Sequence, residues 1–261
     1  MFDSFMDKLK IEKNSTILLT ENSFTLLMAM KKIDKLSENN INYLFDIFID
    51  KLIEKLGDRG TLLIQTFDWR FCKGKTYDIK KSISRTSFLG NIALKRDDFI
   101  RTKHPIYSFA VTGKYKDELA NLDNVGSFDI NSPFNFIFQK KAKMIIIDIP
   151  IHGSFTFAHF VEEMEMELIS YRYNKSFTSQ YIDEQGVEST KTYDMHVRDL
   201  KNNVLPAHEP LEKLFIKNNA MEKYMMNELV IREVDLHKAY SIIEDDIRNN
   251  DSKSLYKIVE K

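Results

Sequence analysis

The chain has 261 residues, enough to bury a substantial core, and we expect residues 1–261 to form a single domain. Its 38 basic and 39 acidic side chains leave a net charge of −1, which excludes a general attraction to nucleic acid or an anionic membrane. The single cysteine, Cys72, cannot form an internal disulfide. No secretory signal pattern opens the chain, and no apolar run approaches the roughly 18 residues that span a bilayer. We therefore expect a soluble cytoplasmic protein with no nucleic-acid or membrane partner.

The first predicted elements form a strand, helix, strand unit. Thr16 to Leu19 has the composition of a short strand, and residues 40–56 repeat apolar side chains at helical spacing. Gly57 and Gly60 end that helix before a second strand, Thr61 to Thr66. A helix between two such strands favours parallel pairing of the strands with a right-handed crossover.

The middle of the chain alternates polar loops with short apolar runs. Residues 68–101 are polar and predict a loop-dominated segment with one short helix near Ser87 to Arg96. Tyr107 to Thr112 alternates weakly and predicts a strand. Lys143 to Ile149 is rich in β-branched residues, which indicates an inner strand buried on both faces.

The C-terminal part predicts a smaller sheet followed by two helices. Residues 166–200 contain an alternating pattern on both sides of the polar turn Asp183-Glu-Gln-Gly186, which is typical of an antiparallel hairpin. Helices are predicted over Leu211 to Tyr224 and Asp235 to Arg248, with a strand at Glu228 to Val234 between them. We therefore expect an α/β fold with a central, mostly parallel or mixed sheet flanked by helices and a smaller antiparallel sheet in the C-terminal half.

His159 and Glu162 are the residues whose spacing most directly suggests chemistry. Positions i and i+3 share a helix face, so the carboxylate can orient the imidazole and stabilise its protonated form. The pair follows the strand Lys143 to Ile149, and ligands of open α/β sheets bind beyond the carboxyl ends of strands. These features indicate a general base, although a histidine beside Phe157 and Phe160 is also compatible with a hydrogen-bonded core or surface residue.

Other common sites are absent from the sequence. The eight glycines form neither a dinucleotide-binding nor a Walker pattern, and no Cys-x-x-Cys or His-Glu-x-x-His motif occurs. His152, His159 and Glu162 could converge on a metal, but a further ligand cannot be located from the sequence, and we expect no metal. Cys72, beside Phe71, is interpreted as a small apolar side chain rather than a nucleophile.

Five stretches within residues 60–163 carry a family resemblance through their order and spacing. They are Gly60-Thr-Leu-Leu-Ile-Gln-Thr-Phe67, Arg85-Thr-Ser-Phe-Leu-Gly90, Arg101-Thr-Lys-His-Pro-Ile-Tyr-Ser-Phe109, Ser132-Pro-Phe134 and Thr156-Phe-Ala-His-Phe-Val-Glu162. Together they resemble the aminoglycoside 3-N-acetyltransferase family, which transfers acyl groups from coenzyme A to amines.

The resemblance implies roles for particular residues. His159 and Glu162 match the acyl-transfer centre, and acetyl-CoA or another acyl-CoA would be the co-substrate. The segments that match the coenzyme A cleft contribute Arg85, Thr86, Ser87, Gly90, Arg101, Lys103, His104, Ser108 and Phe109. The three cations among them, Arg85, Arg101 and Lys103, are expected phosphate partners. One departure lies after the first strand, where Thr20-Glu-Asn-Ser23 replaces the His-Ser-Ser-like turn of the family.

The amine acceptor is the least determined part of this interpretation. We expect an amino sugar on a nucleotide carrier, because some relatives acylate such sugars and a polycationic antibiotic would require a dense carboxylate cluster. The carboxylates evident in the sequence only partly face one direction: Glu162, Glu163, Glu165 and Glu167. Aminoglycoside acetylation and a non-catalytic acyl-CoA-binding protein are the alternatives, and a homodimer is compatible with all of them.

Several aromatic residues near these segments have two interpretations. They could stack on a base or sugar, or they could pack in the core, which is the more common role for aromatics at strand spacing. These residues are Trp69, Tyr77, Tyr171 and Tyr173.

Overall fold

The computed structural model describes residues 2–34, 40–201, 204–206 and 208–258 of the chain. Its α-helices are α1 (Phe2–Asp7), α2 (Ser23–Asp34), α3 (Ile41–Leu56), α4 (Phe88–Ala93), α5 (Lys116–Asn121), α6 (Pro133–Gln139), α7 (Phe157–Met164), α8 (Glu209–Lys217) and α9 (Leu236–Asn250). Its strands are β1 (Thr16–Glu21), β2 (Thr61–Gln65), β3 (Tyr77–Asp78), β4 (Ile100–Arg101), β5 (Phe109–Gly113), β6 (Lys143–Ile147), β7 (Arg172–Ile182), β8 (Glu188–Arg198), β9 (Val204–Pro206), β10 (Met221–Met226), β11 (Leu229–Asp235) and β12 (Tyr256–Ile258). Within these ranges, no helix is both long and apolar enough to cross a membrane.

The central sheet has seven strands in the order β10-β11-β6-β1-β2-β5-β4. Its centre is parallel, because β1 pairs with β2 on one side and with β6 on the other in the same direction. Antiparallel strands extend it at both edges through β11 on β6 and β5 on β2. The mixed sheet confirms the predicted α/β class, and the parallel β1–β2 pair confirms the strand, helix, strand unit.

Both faces of the central sheet are covered, which explains why its inner strands are almost entirely apolar. Along β1, Leu18 packs into a core on one face while Ile17 and Leu19 pack into a second core on the other. Apolar side chains of α6, α7 and α9 complete the first core, and those of α2, α3 and α4 complete the second. The alternation follows from the two-residue period of a strand.

Two smaller sheets lie beside the central one. The predicted hairpin is confirmed as β7 and β8, which pair along their whole length and receive β3 at the outer side of β7. Its turn is fixed by Asp183, whose Oδ1 accepts the backbone N–H groups of Gln185 and Val187 at 2.9 Å each. The other sheet pairs β9 with β12, so the end of the described chain returns to residues 204–206.

The C-terminal part departs from the sequence-based interpretation. The helix predicted over Leu211 to Tyr224 ends at Lys217, and β10 begins at Met221. Asn219 adopts a left-handed backbone conformation, with φ of 54°, that stops the helix, and β10 then pairs with β11. The apolar residues of this segment therefore belong to an edge strand of the sheet. In a short apolar segment, periodicity alone does not distinguish such a strand from a helix.

Smaller differences concern the bounds of other elements. The strand predicted at Tyr107 begins two residues later at Phe109, and the strand from Lys143 ends at Ile147 rather than Ile149. The segment 68–101 contains one α-helix, as predicted, together with the short strands β3 and β4. The helices α2 and α6 have no counterpart among the predicted elements.

Gly113 offers a test of the β2–β5 pairing. Its φ of +95° disfavours any other residue, and an added Cβ would lie 2.1 Å from the carbonyl oxygen of Gly60. We expect Gly113→Ala to lower the free energy of unfolding by about 3 kcal/mol or more, measured by urea denaturation. Gly186→Ala is the matched control, because its φ is +84° but nothing lies within 4 Å of the new Cβ, so about 1 kcal/mol is expected. Equal losses in the two variants would contradict the steric explanation.

Candidate active site

Helix α7 carries the predicted dyad to the carboxyl end of the sheet. After β6 ends at Ile147, Asp148 adopts φ of +56° and Pro150 redirects the chain toward α7. Phe157, Ala158 and Val161 are fully buried and anchor the helix in the core. The opposite side of the helix is thereby fixed at the end of the central strands.

His159 and Glu162 are hydrogen-bonded to each other as their spacing predicts. The distance from His159 Nδ1 to Glu162 Oε2 is 2.7 Å. An ionised carboxylate only accepts hydrogen bonds, so Nδ1 carries the proton and Nε2 is left as the acceptor nitrogen. The imidazole side chain remains 21% exposed, whereas the Glu162 side chain is fully buried. The ring can therefore meet a ligand while its partner cannot.

Arg172, the first residue of β7, completes this group and was not identified from the sequence. Its Nε lies 3.0 Å from Glu162 Oε2, and its Nη2 lies 3.4 Å from His159 Nε2. The guanidinium also donates to Tyr256 Oη at 2.8 Å and to the carbonyl oxygen of His196 at 3.0 Å. No local motif marks this arginine, because its partners come from α7, β8 and β12.

The surroundings fix opposite charge states for the two members of the dyad. Arg172 and His159 hold the pKa of Glu162 at about 2 despite the cost of burial. Burial, with a further contribution from the charge of Arg172, lowers the pKa of His159 below its ordinary value, and Glu162 opposes this shift. At neutral pH the carboxylate is therefore charged and the imidazole is neutral, which is the form a general base requires.

Two other histidines border the dyad without being charged. Burial lowers the pKa of His196 and of His208 to about 4 in each case. His196 Nδ1 lies 2.8 Å from Asn174 Oδ1, while its Nε2 and both ring nitrogens of His208 are buried without a hydrogen-bond partner. These atoms supply uncharged polar groups near the His159 ring.

Three carboxylates form an acidic group next to the dyad. Glu163 is 7% exposed, and burial together with the charges of Asp129 and Asp194 raises its pKa to about 7. Glu163 Oε1 accepts a hydrogen bond from Asn174 at 3.2 Å, but Glu163 Oε2 and Asp194 Oδ1 are buried without a partner. Within the described ranges no lysine or arginine makes an ion pair with any of the three.

The loop that carries Asp129 is bound to the hairpin and reaches the dyad. Ser127 donates its backbone N–H and its hydroxyl to the carbonyl oxygen of Asp194, at 3.0 and 2.6 Å. Phe128 then places its ring at 5.9 Å from the His159 ring, edge to face. The acidic group and the base are therefore neighbours, although the residues come from three separate parts of the chain.

Most residues expected in the coenzyme A cleft have buried side chains that bond within the protein. Arg101 is 5% exposed, and its guanidinium donates to Ser108 Oγ and to the carbonyl oxygens of Ser82 and Thr66. These hydrogen bonds use the guanidinium donors of Arg101, which the sequence predicts to bind a phosphate group.

The other members of this group differ in exposure. His104 is 1% exposed, contacts the carbonyl oxygen of Val125, and has its pKa lowered to about 3 by burial. Phe109 and Ser108 are wholly buried, and Gly90 lies where a Cβ would approach the carbonyl oxygen of Gln65 to 2.5 Å. The side chains that reach solvent are those of Arg85, Thr86 and Lys103.

Ser87 is connected to the departure from the family pattern noted in the sequence. Its hydroxyl donates to Glu21, with distances of 3.0 and 3.3 Å to the two carboxyl oxygens, and accepts the N–H of Gly90 at 2.7 Å. Ser23 Oγ contacts the same carboxyl group at 2.6 Å. Burial raises the pKa of Glu21 to about 7, and these hydroxyls oppose the shift. The substituted turn thus places a buried acid at the end of β1.

The aromatic residues separate into core and surface positions. Tyr77 is 1% exposed and belongs to the core, and Tyr171 packs against that core and against Tyr256 at 4.4 Å between ring centroids. Trp69 and Tyr173 are 41% and 49% exposed. Only the last two are available for stacking on a ligand at the surface.

The possible metal site at His152 does not assemble. His152 is exposed and pairs with Glu209 at 3.5 Å, whereas His159 pairs with Glu162. In the part of the chain that the structure describes, no group of three or more His, Cys, Asp or Glu side chains is arranged to hold a metal ion.

Comparison with solved structures identifies several proteins with the same overall fold. The sisomicin-bound structure of AAC-VIa superposes with a TM-score of 0.73 at 14% identity, covering 95% of this chain and 97% of that one. YokD from Bacillus subtilis gives a TM-score of 0.72 at 18% identity, covering 96% and 94%. AAC-IIIb in a binary complex with CoASH gives 0.70 at 14% identity, covering 95% and 94%.

Comparison at the level of sequence gives the family. None of the curated proteins compared with the chain matches it. The model of the aminoglycoside 3-N-acetyltransferase family, however, matches residues 29–247, well over half of the chain. Acetyl-CoA is the acyl donor that fits this family and these neighbours. The chain belongs to the aminoglycoside 3-N-acetyltransferase family and is a coenzyme A-dependent acetyltransferase.

Proposed function

We propose that this protein transfers the acetyl group of acetyl-CoA to an amine of a polycationic amino sugar, with His159 as the general base. The observation that carries the proposal is the position of His159 Nε2. It is the acceptor nitrogen of a partly exposed ring whose Nδ1 is held by Glu162, and its contact with Arg172 Nη2 is long, at 3.4 Å. Glu163, on the same helix, belongs to the acidic group. A neutral base and a site for cations are the two features that such a reaction requires.

The reaction is direct transfer between the two substrates. The uncharged amine nitrogen attacks the thioester carbonyl carbon, and its proton passes to His159 Nε2. The C–S bond then breaks, an amide remains, and the proton is available to the departing thiolate of coenzyme A. Glu162 stabilises the imidazolium formed in between, because its carboxylate stays ionised at neutral pH. The next residue, Glu163, contacts Asn174 instead of the imidazole.

The acidic group supports an acceptor that carries more than one amine. The charges of Asp129 and Asp194 oppose ionisation of Glu163, and none of the three carboxylates has a basic partner among the described residues, so a bound ammonium group would offset that repulsion. The sequence alone suggested only one helix of partly divergent glutamates. In the folded protein, Asp129 from a loop, Glu163 from α7 and Asp194 from β8 form a cluster of carboxylates of the kind that a polycationic acceptor requires.

The same charges weigh against the nucleotide-linked amino sugar expected from the sequence. A diphosphate would approach three carboxylates, and Arg172, the cation that contacts the dyad, is already bonded to protein groups. Nucleotide-linked amino sugars are therefore the competing class of acceptor, to be compared directly with aminoglycosides.

The coenzyme A contacts are proposed for the residues that reach solvent. Arg85 and Lys103 would meet phosphate oxygens, and Thr86 would offer a hydroxyl. The buried members of the group, Ser87, Gly90, Arg101, His104, Ser108 and Phe109, would shape the backbone that supports these contacts. Gly90 fits this role, because its missing side chain permits the close approach of α4 to β2.

Replacing the base tests the assignment of His159. We expect His159→Asn to lower kcat by on the order of a hundredfold or more, since general base catalysis contributes about that much. Coenzyme A release with a thiol reagent measures the rate, and circular dichroism checks the fold. His237→Asn is the control, because His237 is exposed on α9 and stacks on Phe138. Wild-type turnover in a folded His159 variant would reject the assignment.

The choice of acceptor is tested with purified protein, acetyl-CoA and two panels of amines. One panel contains aminoglycosides with increasing numbers of amines, and the other contains nucleotide-linked amino sugars. We expect the higher kcat/KM for the aminoglycosides. Asp194→Asn should raise KM for them about tenfold, with KM for acetyl-CoA within about twofold of wild type, since one charge pair in a shielded site is worth about that much. A higher kcat/KM for nucleotide-linked sugars would contradict the polycationic acceptor.

The charge state of the acidic group can be measured without substrate. Because the pKa of Glu163 is raised, the folded protein binds more protons than the unfolded chain between about pH 4.5 and 7. The free energy of unfolding that this proton binding contributes is therefore lost as pH rises through that range. We expect Glu163→Gln to reduce the fall in unfolding free energy between pH 5 and 8 by on the order of 2 kcal/mol. Glu167→Gln, on the surface, is the control. Parallel stability curves for Glu163→Gln and wild type would refute the proposed crowding of negative charge.

A further inference from the structure

We propose that Arg172 is a positioning residue for the reaction, holding the Glu162 carboxylate in place and favouring the unprotonated form of His159 by directing N–H donors at its Nε2. The inference rests on the proposed function in which His159 is the base. It assigns a role to a residue that does not itself meet the substrates.

The geometry of the guanidinium supports a fixed position. Its side chain is 8% exposed, and it contacts the carboxylate of Glu162, the hydroxyl of Tyr256 and the carbonyl oxygen of His196 at 3.0 Å or less. These three partners belong to α7, β12 and β8. An arginine restrained from three elements cannot turn toward a substrate without breaking buried hydrogen bonds, so it acts through its neighbours.

The fourth contact explains the protonation state of the base. Arg172 Nη2 lies 3.4 Å from His159 Nε2, and a guanidinium has only donors. A neutral ring can face those donors with its lone pair, whereas a protonated ring would oppose N–H to N–H and place two positive charges together. The arrangement therefore fits only the neutral ring.

The other groups around His159 leave Arg172 and Glu162 as the charges that decide its protonation. His196 on β8 and His208, the N-cap of α8, are close enough to exchange electrostatic influence with the ring, and both are neutral because burial lowers their pKa to about 4. Tyr256 adds an uncharged hydroxyl from β12, since burial raises its pKa. The charge of Arg172 lowers the pKa of His159, and Glu162 raises it. Burial of the ring also lowers this pKa, but removal of the guanidinium would leave Glu162 as the one charge of the pair acting on the ring, so the pKa would rise.

The contact does not prevent the base from working. A separation of 3.4 Å is long for an N–H···N hydrogen bond, so an incoming amine can replace Nη2 as the partner of Nε2 at small cost. The three shorter contacts keep the guanidinium in place when that happens. During the reaction the same positive charge favours return of the proton from the imidazolium to the thiolate.

The decisive measurement is the titration of His159 itself. Protein labelled with ¹⁵N-histidine is followed by NMR against pH in the wild type, Arg172→Met and Arg248→Met, with His159→Asn used to assign the signal. We expect the pKa of His159 to rise by about one unit or more in Arg172→Met, with the acid limb of kcat/KM moving by the same amount.

Arg248→Met is the matched control for this shift. Arg248 also pairs with a glutamate adjoining α7, since its Nη2 lies 2.7 Å from Glu165 Oε1, but it is half exposed and does not contact the dyad. The pKa of His159 should be unchanged in this variant. If the folded Arg172→Met protein titrates His159 within about a quarter of a pH unit of wild type, the proposal is overturned.

A second variant covers the case in which Arg172→Met leaves Glu162 too poorly paired to fold. Arg172→Lys keeps the charge but loses the planar set of donors, so orientation suffers more than charge. We expect kcat to fall about tenfold, with KM for both substrates within about twofold of wild type. An unchanged kcat, or a change confined to KM, would overturn the proposal.

The two readouts separate this inference from the proposed function. A shift of the His159 titration without a matching shift of the pH–rate profile would support the role of Arg172 and reject His159 as the base. Absence of the NMR shift would reject Arg172 alone, whatever the turnover of the His159 variants.

Discussion

The buried contact between Glu162 and Arg172 is the constraint on which the rest of the site depends. It joins α7 to the first residue of β7, so one ion pair holds both the helix that carries His159, the proposed base, and the hairpin. Breaking such a pair by removing one partner typically costs about 3 to 5 kcal/mol, because the other charge stays buried. The cost of burying the two charges is offset by hydrogen bonds that the guanidinium donates to Tyr256 Oη and to the carbonyl oxygen of His196. The geometry of the base is therefore maintained by the tertiary structure rather than by the helix alone.

Two consecutive glutamates show how strongly position decides chemistry in this protein. Glu162 faces Arg172 and has a pKa of about 2, whereas Glu163 faces Asp129 and Asp194 and has a pKa of about 7. Both are buried, so desolvation acts in the same direction on each, and the sign of the neighbouring charge separates them. In the proposed reaction, Glu162 consequently supports the proton transfer. Glu163 belongs to the proposed acceptor site, where a positively charged ligand would take the place of a basic side chain.

The region assigned to coenzyme A is built largely from groups that support one another. Arg101 binds Ser108 and two backbone oxygens, and Ser87 joins the start of α4 to Glu21 at the end of β1. Glu21 is a buried acid at the point where the family resemblance predicts a small polar turn. The fold tolerates it because Ser23 and Ser87 donate hydrogen bonds to the carboxyl group.

The sequence by itself determined the inner strands, the long helix α3, the hairpin and the dyad, because each is encoded by local periodicity or by spacing within one helix turn. It failed where pairing between distant segments decided the outcome. Residues 221–226 joined a sheet edge instead of extending a helix, since the available β11 edge outweighed helical spacing. Arg172, Asp129 and Asp194 carry no local signal, and only the docking of the hairpin and the loop against α7 brings them to the base. Charge states in the site depend on burial and on neighbours from other elements, so the tertiary structure decided them.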